Sequence, residues 1–251
     1  MEKILPNKVF YDELASDYDS MISFEKAVEN KEKLFKNFVT AEMKSAADIG
    51  CGSGVDSIAL SLLGLKVTSF DPSYEMIKLA EANAERMNIE IDFRNYFADN
   101  IPKEFDDQFD LVVSLGNTFA NIPEESFIAS LKRCYDILKL NGQLIIQCLN
   151  YEKILNENKR IVNITESADK FFIRFYDFIT EHIVFNILIF SKSNPSEQKL
   201  ISTKISPYSQ ENFRSGLEEA GFHSVKFYSD FQFTPFNNDQ SKDLVVQALK
   251  L

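Results

Sequence analysis

The stretch Ala46-Ala47-Asp48-Ile49-Gly50-Cys51-Gly52-Ser53-Gly54-Val55-Asp56 decides the fold of this chain. A short apolar segment leads into three alternate glycines, and apolar residues at helical spacing follow from Ser57. The pattern predicts a strand, a tight turn and a helix. In an open α/β sheet the backbone approaches a nucleotide-like ligand at this first turn, because a Cβ would block both the turn and the contact.

The spacing of the glycines narrows the class of ligand. Gly50, Gly52 and Gly54 form G-x-G-x-G, whereas the dinucleotide fingerprint G-x-G-x-x-G needs a third glycine where Val55 stands. This favours a nucleoside with a short zwitterionic tail over a pyrophosphate. An ordinary glycine-rich connection remains the alternative for the loop taken alone.

The rest of the chain alternates strands with helices and then changes character. Up to Leu149 the alternation is typical of a parallel sheet, and beyond Asn150 runs rich in Phe, Ile and Val predict antiparallel strands. We therefore predict an α/β fold: a doubly wound, mostly parallel, Rossmann-like sheet of seven strands with an inserted antiparallel β substrate lid. The predicted divisions are N-terminal helices and α/β core at 1–150, the lid at 151–206, and a return to the core sheet at 207–251.

Composition indicates a small-molecule partner. The 251 residues carry a net charge of -11, which disfavours nucleic acid and anionic membranes as partners. Three cysteines without C-x-x-C spacing and two histidines in separate segments predict no metal site. No apolar segment opens the chain, and the run from Ile183 to Phe190 is too short to span a bilayer. We expect a cytoplasmic protein, with a homo-oligomer possible.

Three aspartates follow predicted strands at the edge where such sheets bind ligands. Asp71 can accept both hydroxyls of a ribose, Asp99 can accept from an adenine amine, and Asp48 lies beside the glycine loop. Acids at strand ends are also common as solvated turn residues. An NAD-linked oxidoreductase is a further alternative for Asp71, which lies 17 residues after Gly54.

These features resemble the cofactor signature of class I S-adenosylmethionine-dependent methyltransferases, over roughly Phe10 to Leu149. Within that class, four short segments resemble the glycine N-methyltransferase group, which includes glycine/sarcosine methyltransferases. They are Gly52-Ser-Gly-Val-Asp-Ser-Ile58, Val67-Thr-Ser-Phe-Asp71, Leu115-Gly-Asn-Thr-Phe119 and Asn150-Tyr151.

The resemblance implies S-adenosylmethionine as cofactor and a set of site residues. The implied cofactor-binding residues are Asp48, Gly50, Cys51, Gly52, Gly54, Asp71, Asp99, Asn100 and Leu115, the last through its backbone. Asn117 and Tyr18 are the implied catalytic residues, and Asn117, Asn121, Asn150 and Tyr151 the implied substrate-binding residues. The expected reaction moves a methyl group to nitrogen or oxygen of a small acceptor, and a non-catalytic cofactor-binding regulator is the alternative.

One departure from the group puts glycine itself in question as the acceptor. The glycine enzymes have an arginine just before the Asn-Tyr pair, where it binds the carboxylate of the amino acid, and this chain has Leu149. An aliphatic side chain cannot replace bidentate guanidinium–carboxylate pairing. Arg174 or Arg160, in the predicted lid, can supply the charge instead, although an exposed surface position is the simpler interpretation of each.

Overall fold

The computed structural model describes residues 4–179 and 182–251. Within these residues the helices are α1 (Asn7–Ile22), α2 (Phe24–Phe35), α3 (Val55–Leu62), α4 (Tyr74–Arg86), α5 (Glu124–Ile137), α6 (Tyr151–Asn156) and α7 (Gln210–Ala220). The strands are β1 (Ile4–Leu5), β2 (Ser45–Ile49), β3 (Lys66–Phe70), β4 (Asp92–Arg94), β5 (Phe109–Ser114), β6 (Leu138–Leu149), β7 (Ile161–Glu166), β8 (Lys170–Ile179), β9 (His182–Ser191), β10 (Gln198–Ile205), β11 (His223–Tyr228) and β12 (Asp243–Leu249). None of the helices described is long and apolar enough to cross a membrane.

The larger sheet has seven strands in the order β11-β12-β6-β5-β2-β3-β4. Strands β4, β3, β2, β5 and β6 are parallel, and β12 runs antiparallel to both of its neighbours. The predicted seven-stranded, mostly parallel sheet is therefore confirmed. The chain moves outward from β2 through β3 and β4, then returns to β5 on the other side of β2. This reversal opens a crevice at the carboxyl ends of β2 and β5, where such sheets bind ligands.

Central strands of this sheet are buried on both faces. Ala46 and Ala47 of β2 and the segment from Leu111 to Val113 of β5 have no exposed surface. Helices cover both faces, so these strands are continuous apolar runs rather than alternating ones. The Asn141-Gly142 pair, a residue combination typical of turns, lies inside β6. Asn141 adopts φ 66° there, and the register with β5 shifts by a bulge that absorbs the turn.

A second sheet has five strands in the order β1-β10-β9-β8-β7. Neighbours among β7 to β10 are antiparallel, as predicted, while β1 adds in parallel to β10. The sequence did not indicate β1, because a strand of two residues has no readable periodicity. The division of the chain at residues 150 and 206 stays a prediction.

Helix α1 packs between the second sheet and α4. Its buried Phe10 and Leu14 share one apolar cluster with Phe172 of β8, Ile187 of β9 and Met76 of α4. The helix ends at Ser23, which adopts the left-handed conformation and separates α1 from α2. One face of α1 is thereby held over the carboxyl ends of the central strands.

Candidate active site

A large cavity, of about 990 Å³, lies over the carboxyl ends of β2, β3 and β5. Its volume is near the upper end of the range of about 300–1,000 Å³ that is typical of small-molecule sites. Nine of the residues predicted from sequence line it: Tyr18, Gly50, Cys51, Gly52, Asp71, Asp99, Asn100, Leu115 and Asn121. Asp48, Gly54, Asn117, Asn150 and Tyr151 are not among the lining residues.

The three glycines of the loop have different structural roles. All adopt positive φ, at 73°, 53° and 86° for Gly50, Gly52 and Gly54. A Cβ on Gly54 would approach Ala80 of α4 to 3.2 Å, so this residue allows close packing away from the cavity. A Cβ on Gly52 would meet only Tyr18, with the hydroxyl oxygen 3.8 Å away. Gly52 therefore exposes its backbone to the cavity, as close approach by a ligand requires.

Asp71 is held rigidly beside this loop. One carboxylate oxygen accepts a hydrogen bond from the Gly52 N–H at 2.9 Å and the other from the Ser73 N–H at 2.8 Å. Burial raises the pKa of Asp71 to about 6, the two backbone hydrogen bonds oppose that shift, and the Asp12 carboxylate adds to it. The side chain is therefore an anion at neutral pH and presents its remaining acceptor capacity to the cavity.

Asp48 lies beneath the glycine loop rather than in the cavity. It is 1% exposed and accepts a hydrogen bond of 2.6 Å from the Ser57 hydroxyl of α3. The Ser69 hydroxyl of β3 donates in turn to Ser57 at 2.9 Å. This chain of hydrogen bonds fixes the start of α3 against β2 and β3. Asp48 thus shapes the loop without lining the cavity, so a direct contact with the cofactor is not supported by its position.

Asp99 and Asn100 line the opposite side of the cavity, in a short 3-10 turn after β4. The Ser126 hydroxyl of α5 donates to the Asp99 carboxylate at 2.7 Å. One carboxylate oxygen is thus oriented by α5 and the other is available to a ligand. The structure brings together Asp71, Asp99 and the glycine loop around one space, as the sequence predicted.

Asn117 joins two loops instead of lining the cavity. Its amide nitrogen donates to the Tyr151 hydroxyl at 2.6 Å, and its amide oxygen accepts from the Leu149 N–H at 3.0 Å. Tyr151 is 1% exposed. Because both ends of the amide are engaged within the protein, direct contact of Asn117 with an acceptor is not supported. Its geometry is that of a residue that positions the end of β5 against the end of β6.

Asn150 has a structural role at the start of α6. Its amide oxygen accepts from the Lys153 N–H at 3.3 Å, and its amide nitrogen donates to the carbonyls of Asn238 and Ser241 at 2.7 and 3.0 Å. Both donor hydrogens and the amide oxygen are engaged in capping the helix and anchoring the segment before β12. Its role as a substrate contact, implied by the resemblance to the glycine N-methyltransferase group, is therefore not supported by the geometry.

Several cavity residues were not predicted from sequence. Tyr11 and Tyr18 lie on the same face of α1. Burial, and to a smaller extent the neighbouring Tyr18, raises the pKa of Tyr11 well above its usual value. The cavity is closed on the side of the second sheet by Leu5 of β1 and by Thr203 and Lys204 of β10. The helical spacing of Tyr11 and Tyr18 was a usable signal. The contribution of β1 and β10 depends on a long-range pairing that no local pattern reveals.

The lining residues fit a ligand that carries hydrogen-bonding groups along its length. Three buried side-chain atoms on the cavity wall have neither a hydrogen-bond partner nor an ion pair among the described residues: the Ser53 hydroxyl, the Asn121 amide oxygen and the Ser130 hydroxyl. A buried polar atom costs free energy unless it is paired. Together with the exposed Gly52 backbone and the Asp71 and Asp99 carboxylates, they suit a nucleoside with a polar tail.

Comparison with known proteins agrees with this site. Residues 46–142 match the family model described as a methyltransferase domain. The glycine/sarcosine N-methyltransferase of Aphanothece halophytica is 29% identical over 203 residues, which are 78% of this chain and 72% of that protein. A ubiquinone biosynthesis O-methyltransferase of Pseudomonas putida (strain W619) is 28% identical over 107 residues, 43% of this chain and 45% of that protein.

The fold has a solved counterpart over nearly its whole length. A crystal structure of an S-adenosylmethionine-dependent methyltransferase from Clostridium acetobutylicum superposes with a TM-score of 0.76 at 16% identity, covering 95% of this chain and 98% of that one. Fold, site and family match define a methyltransferase. Residues 46–142 belong to the methyltransferase domain family, and the methyltransferase class predicted from the sequence is confirmed.

Proposed function

We propose that this methyltransferase modifies an amine nitrogen of a small acceptor that binds between the glycine loop and the five-stranded sheet. The observation that carries the proposal is the continuity of the cavity. It extends from Asp71 and Asp99 at the strand ends to Leu5, Thr203 and Lys204 of the second sheet. A space of this size accommodates a nucleoside cofactor and a second small molecule together.

Residues that line the cavity are proposed to contact different parts of the cofactor. Asp71 and Asp99 accept hydrogen bonds from the nucleoside, and the backbone of Gly50, Gly52 and Leu115 approaches the rest of the cofactor. When bound, S-adenosylmethionine supplies a methyl group already activated on a sulfonium. Tyr18, 3.8 Å from the position of a Cβ on Gly52, would lie at the reacting end. The chain then has to align two molecules and exclude water, which can account for much of a rate enhancement.

Nitrogen is favoured over oxygen by the titratable groups of the cavity. A hydroxyl acceptor gains from a general base, whereas an amine with a free lone pair does not need one. Burial raises the pKa of Tyr18 to about 12 and that of Tyr11 higher still, so both stay protonated at neutral pH. Asp71 is already engaged by two backbone N–H groups. Small amines such as glycine and sarcosine are therefore the first acceptors to test.

Turnover with a panel of amine and hydroxyl acceptors tests the proposal. We expect methylated product, identified by mass spectrometry, with amines and not with their hydroxyl analogues. Tyr18→Phe should lower kcat about tenfold, because one oriented hydrogen bond near the reacting atoms is lost. The dissociation constant of S-adenosylhomocysteine should not change. Tyr74→Phe, at a tyrosine that is 55% exposed on α4, is the matched control.

Three results would contradict the proposal. Methylation of hydroxyls in preference to amines would reassign the acceptor atom. Binding of S-adenosylhomocysteine without turnover of any acceptor would favour a non-catalytic, cofactor-binding regulator. Equal rates for wild type and Tyr18→Phe would remove Tyr18 from the reacting end.

The affinity for S-adenosylhomocysteine should depend on pH through Asp71. The free protein binds a proton at this carboxyl with a pKa of about 6, and a ligand hydroxyl that donates to the carboxylate favours the ionised form. Affinity should therefore be full above pH 7 and fall as the pH decreases through 6, by about tenfold at pH 5. Calorimetric titrations between pH 5 and 8 measure this. If the affinity of Asp71→Asn still falls between pH 7 and pH 5, the titrating group is not Asp71.

A further inference from the structure

Arg174 lies on the inner face of the five-stranded sheet. Side chains alternate along β8, and Phe172 and Tyr176, two residues to either side, are 0% and 2% exposed in clusters with α1 and with Tyr151. Arg174 shares their face, opposite Ile187 of β9, which is also buried. A guanidinium thus stands among aromatic side chains on the face that the sheet turns toward the active site.

Arg174 differs from the other arginines in its pairing. Each of the other five, Arg86, Arg94, Arg133, Arg160 and Arg214, has a carboxylate within 4.0 Å. Arg174 has none among residues 4–179 and 182–251. Its Nε donates to the Asn163 side-chain oxygen of β7 at 2.6 Å, which fixes the plane of the guanidinium. In the described part of the chain no acceptor meets its two terminal nitrogens.

Two of the three tyrosines that influence this cation, Tyr11 and Tyr18, belong to the cavity wall. Burial lowers the pKa of Arg174, and the hydroxyls of Tyr18, Tyr11 and Tyr176 counter that shift. Reciprocally, the Arg174 charge is the main influence that opposes the rise in the pKa of Tyr18. Arg174 itself is not among the lining residues, but Tyr11 and Tyr18 are. The guanidinium is therefore next to the end of the cavity where the reacting groups are proposed to meet.

We propose that Arg174 binds a carboxylate of the methyl acceptor and thereby selects amino acids over neutral amines. The inference rests on the proposed function and names the acceptor class. A partly buried cation without a counter-ion lowers the free energy of an anion that reaches it. With Nε occupied, two terminal nitrogens remain, and they match the two oxygens of a carboxylate. The net charge of -11 disfavours polyanions such as phosphate esters.

Matched acid and amide acceptors test the selection directly. We would measure kcat and KM for glycine against glycinamide, sarcosine against sarcosinamide, and further amino acid pairs. Wild type should prefer each acid about 100-fold, from one charge-assisted bidentate pair. Arg174→Gln should abolish the preference by raising KM for the acids alone, and Arg174→Lys should restore part of it. Arg160→Gln, in a surface pair with Asp177, is the control.

A binding measurement separates this inference from the proposed function. Acetate and inorganic phosphate are titrated into the protein saturated with S-adenosylhomocysteine, and saturation-transfer NMR reports contact. Acetate should bind wild type and Arg160→Gln but not Arg174→Gln, even if no acceptor in the panel turns over. Acetate binding that survives in Arg174→Gln, phosphate binding in place of acetate, or an acid-to-amide ratio unchanged by the substitution would overturn the role of Arg174. The thermal shift given by S-adenosylhomocysteine checks that each variant is folded.

Discussion

Asp71→Asn is expected to weaken the binding of S-adenosylhomocysteine about 100-fold, or about 2.7 kcal/mol. The carboxylate is oriented by the backbone of Gly52 and Ser73, so it offers acceptor capacity at a fixed position on the cavity wall. Hydrogen bonds to an ionised, buried acceptor are the strong ones. An amide keeps the shape of the side chain and loses the charge. Isothermal calorimetry at pH 7.5 measures the change.

The ligand-free variant should unfold within about 3 °C of wild type, because two effects oppose each other. A pKa raised to about 6 means that the ionised carboxyl costs the native state about 3 kcal/mol at neutral pH, and the amide removes that cost. The amide also forfeits one of the two backbone hydrogen bonds, which costs about 1–3 kcal/mol. Near-native stability with weak binding would separate a binding role from a structural one.

Asp92→Asn is the matched control for Asp71. Asp92 lies in the same sheet, on β4, in a partly exposed pair with Arg94 at 2.8 Å, and it is not among the cavity residues. Its substitution should leave the affinity unchanged. An affinity for S-adenosylhomocysteine that stays at the wild-type value in Asp71→Asn would remove Asp71 from the binding site. A large drop in the ligand-free midpoint would instead make the carboxylate part of the scaffold.

The fold was predictable because its signals are local. The parallel strands are buried on both faces, so each appears in the sequence as a short apolar run, and the glycines between β2 and α3 occupy positions that need positive φ. Asp71 and Asp99 follow from the rule that ligands bind at the carboxyl ends of strands. Local patterns and one topological rule were therefore sufficient to assemble most of the cavity wall at the carboxyl ends of the strands.

The wall of the cavity toward the second sheet was less predictable, because pairing between residues distant in the sequence forms it. Asn117, just after β5, donates a hydrogen bond to Tyr151 at the start of α6, so what a motif suggests as a substrate contact is satisfied inside the protein. Leu5 and Thr203 reach the cavity only through the parallel pairing of β1 with β10. Arg174 becomes distinctive only when its missing carboxylate partner is visible among the described residues. None of these relations leaves a trace in residue spacing.

Gly50→Ala is expected to destabilise the protein by about 3 kcal/mol, through one contact between the ends of β2 and β5. A Cβ built on Gly50 would lie 2.2 Å from Cγ2 and 2.7 Å from Oγ1 of Thr118. Overpacking of this kind costs about 1–3 kcal/mol, and a left-handed φ of 73° adds about 1 kcal/mol for an alanine. The thermal midpoint should fall by roughly 6–12 °C, measured by circular dichroism without ligand.

Two further variants separate the steric cost from the backbone cost. Gly116→Ala has a similar φ of 64° but no atom within 4 Å of the added Cβ, so it should lose only about 1 kcal/mol. Thr118→Ala removes the atoms that the Gly50 substitution meets, at the expense of hydrogen bonds to the carbonyls of Gly50 and Leu115. The double variant should then lose less stability than the sum of the losses in the two single variants. Strict additivity, or equal losses for Gly50→Ala and Gly116→Ala, would mean that Thr118 does not press on the loop and that the strand ends are joined less tightly than the distances indicate.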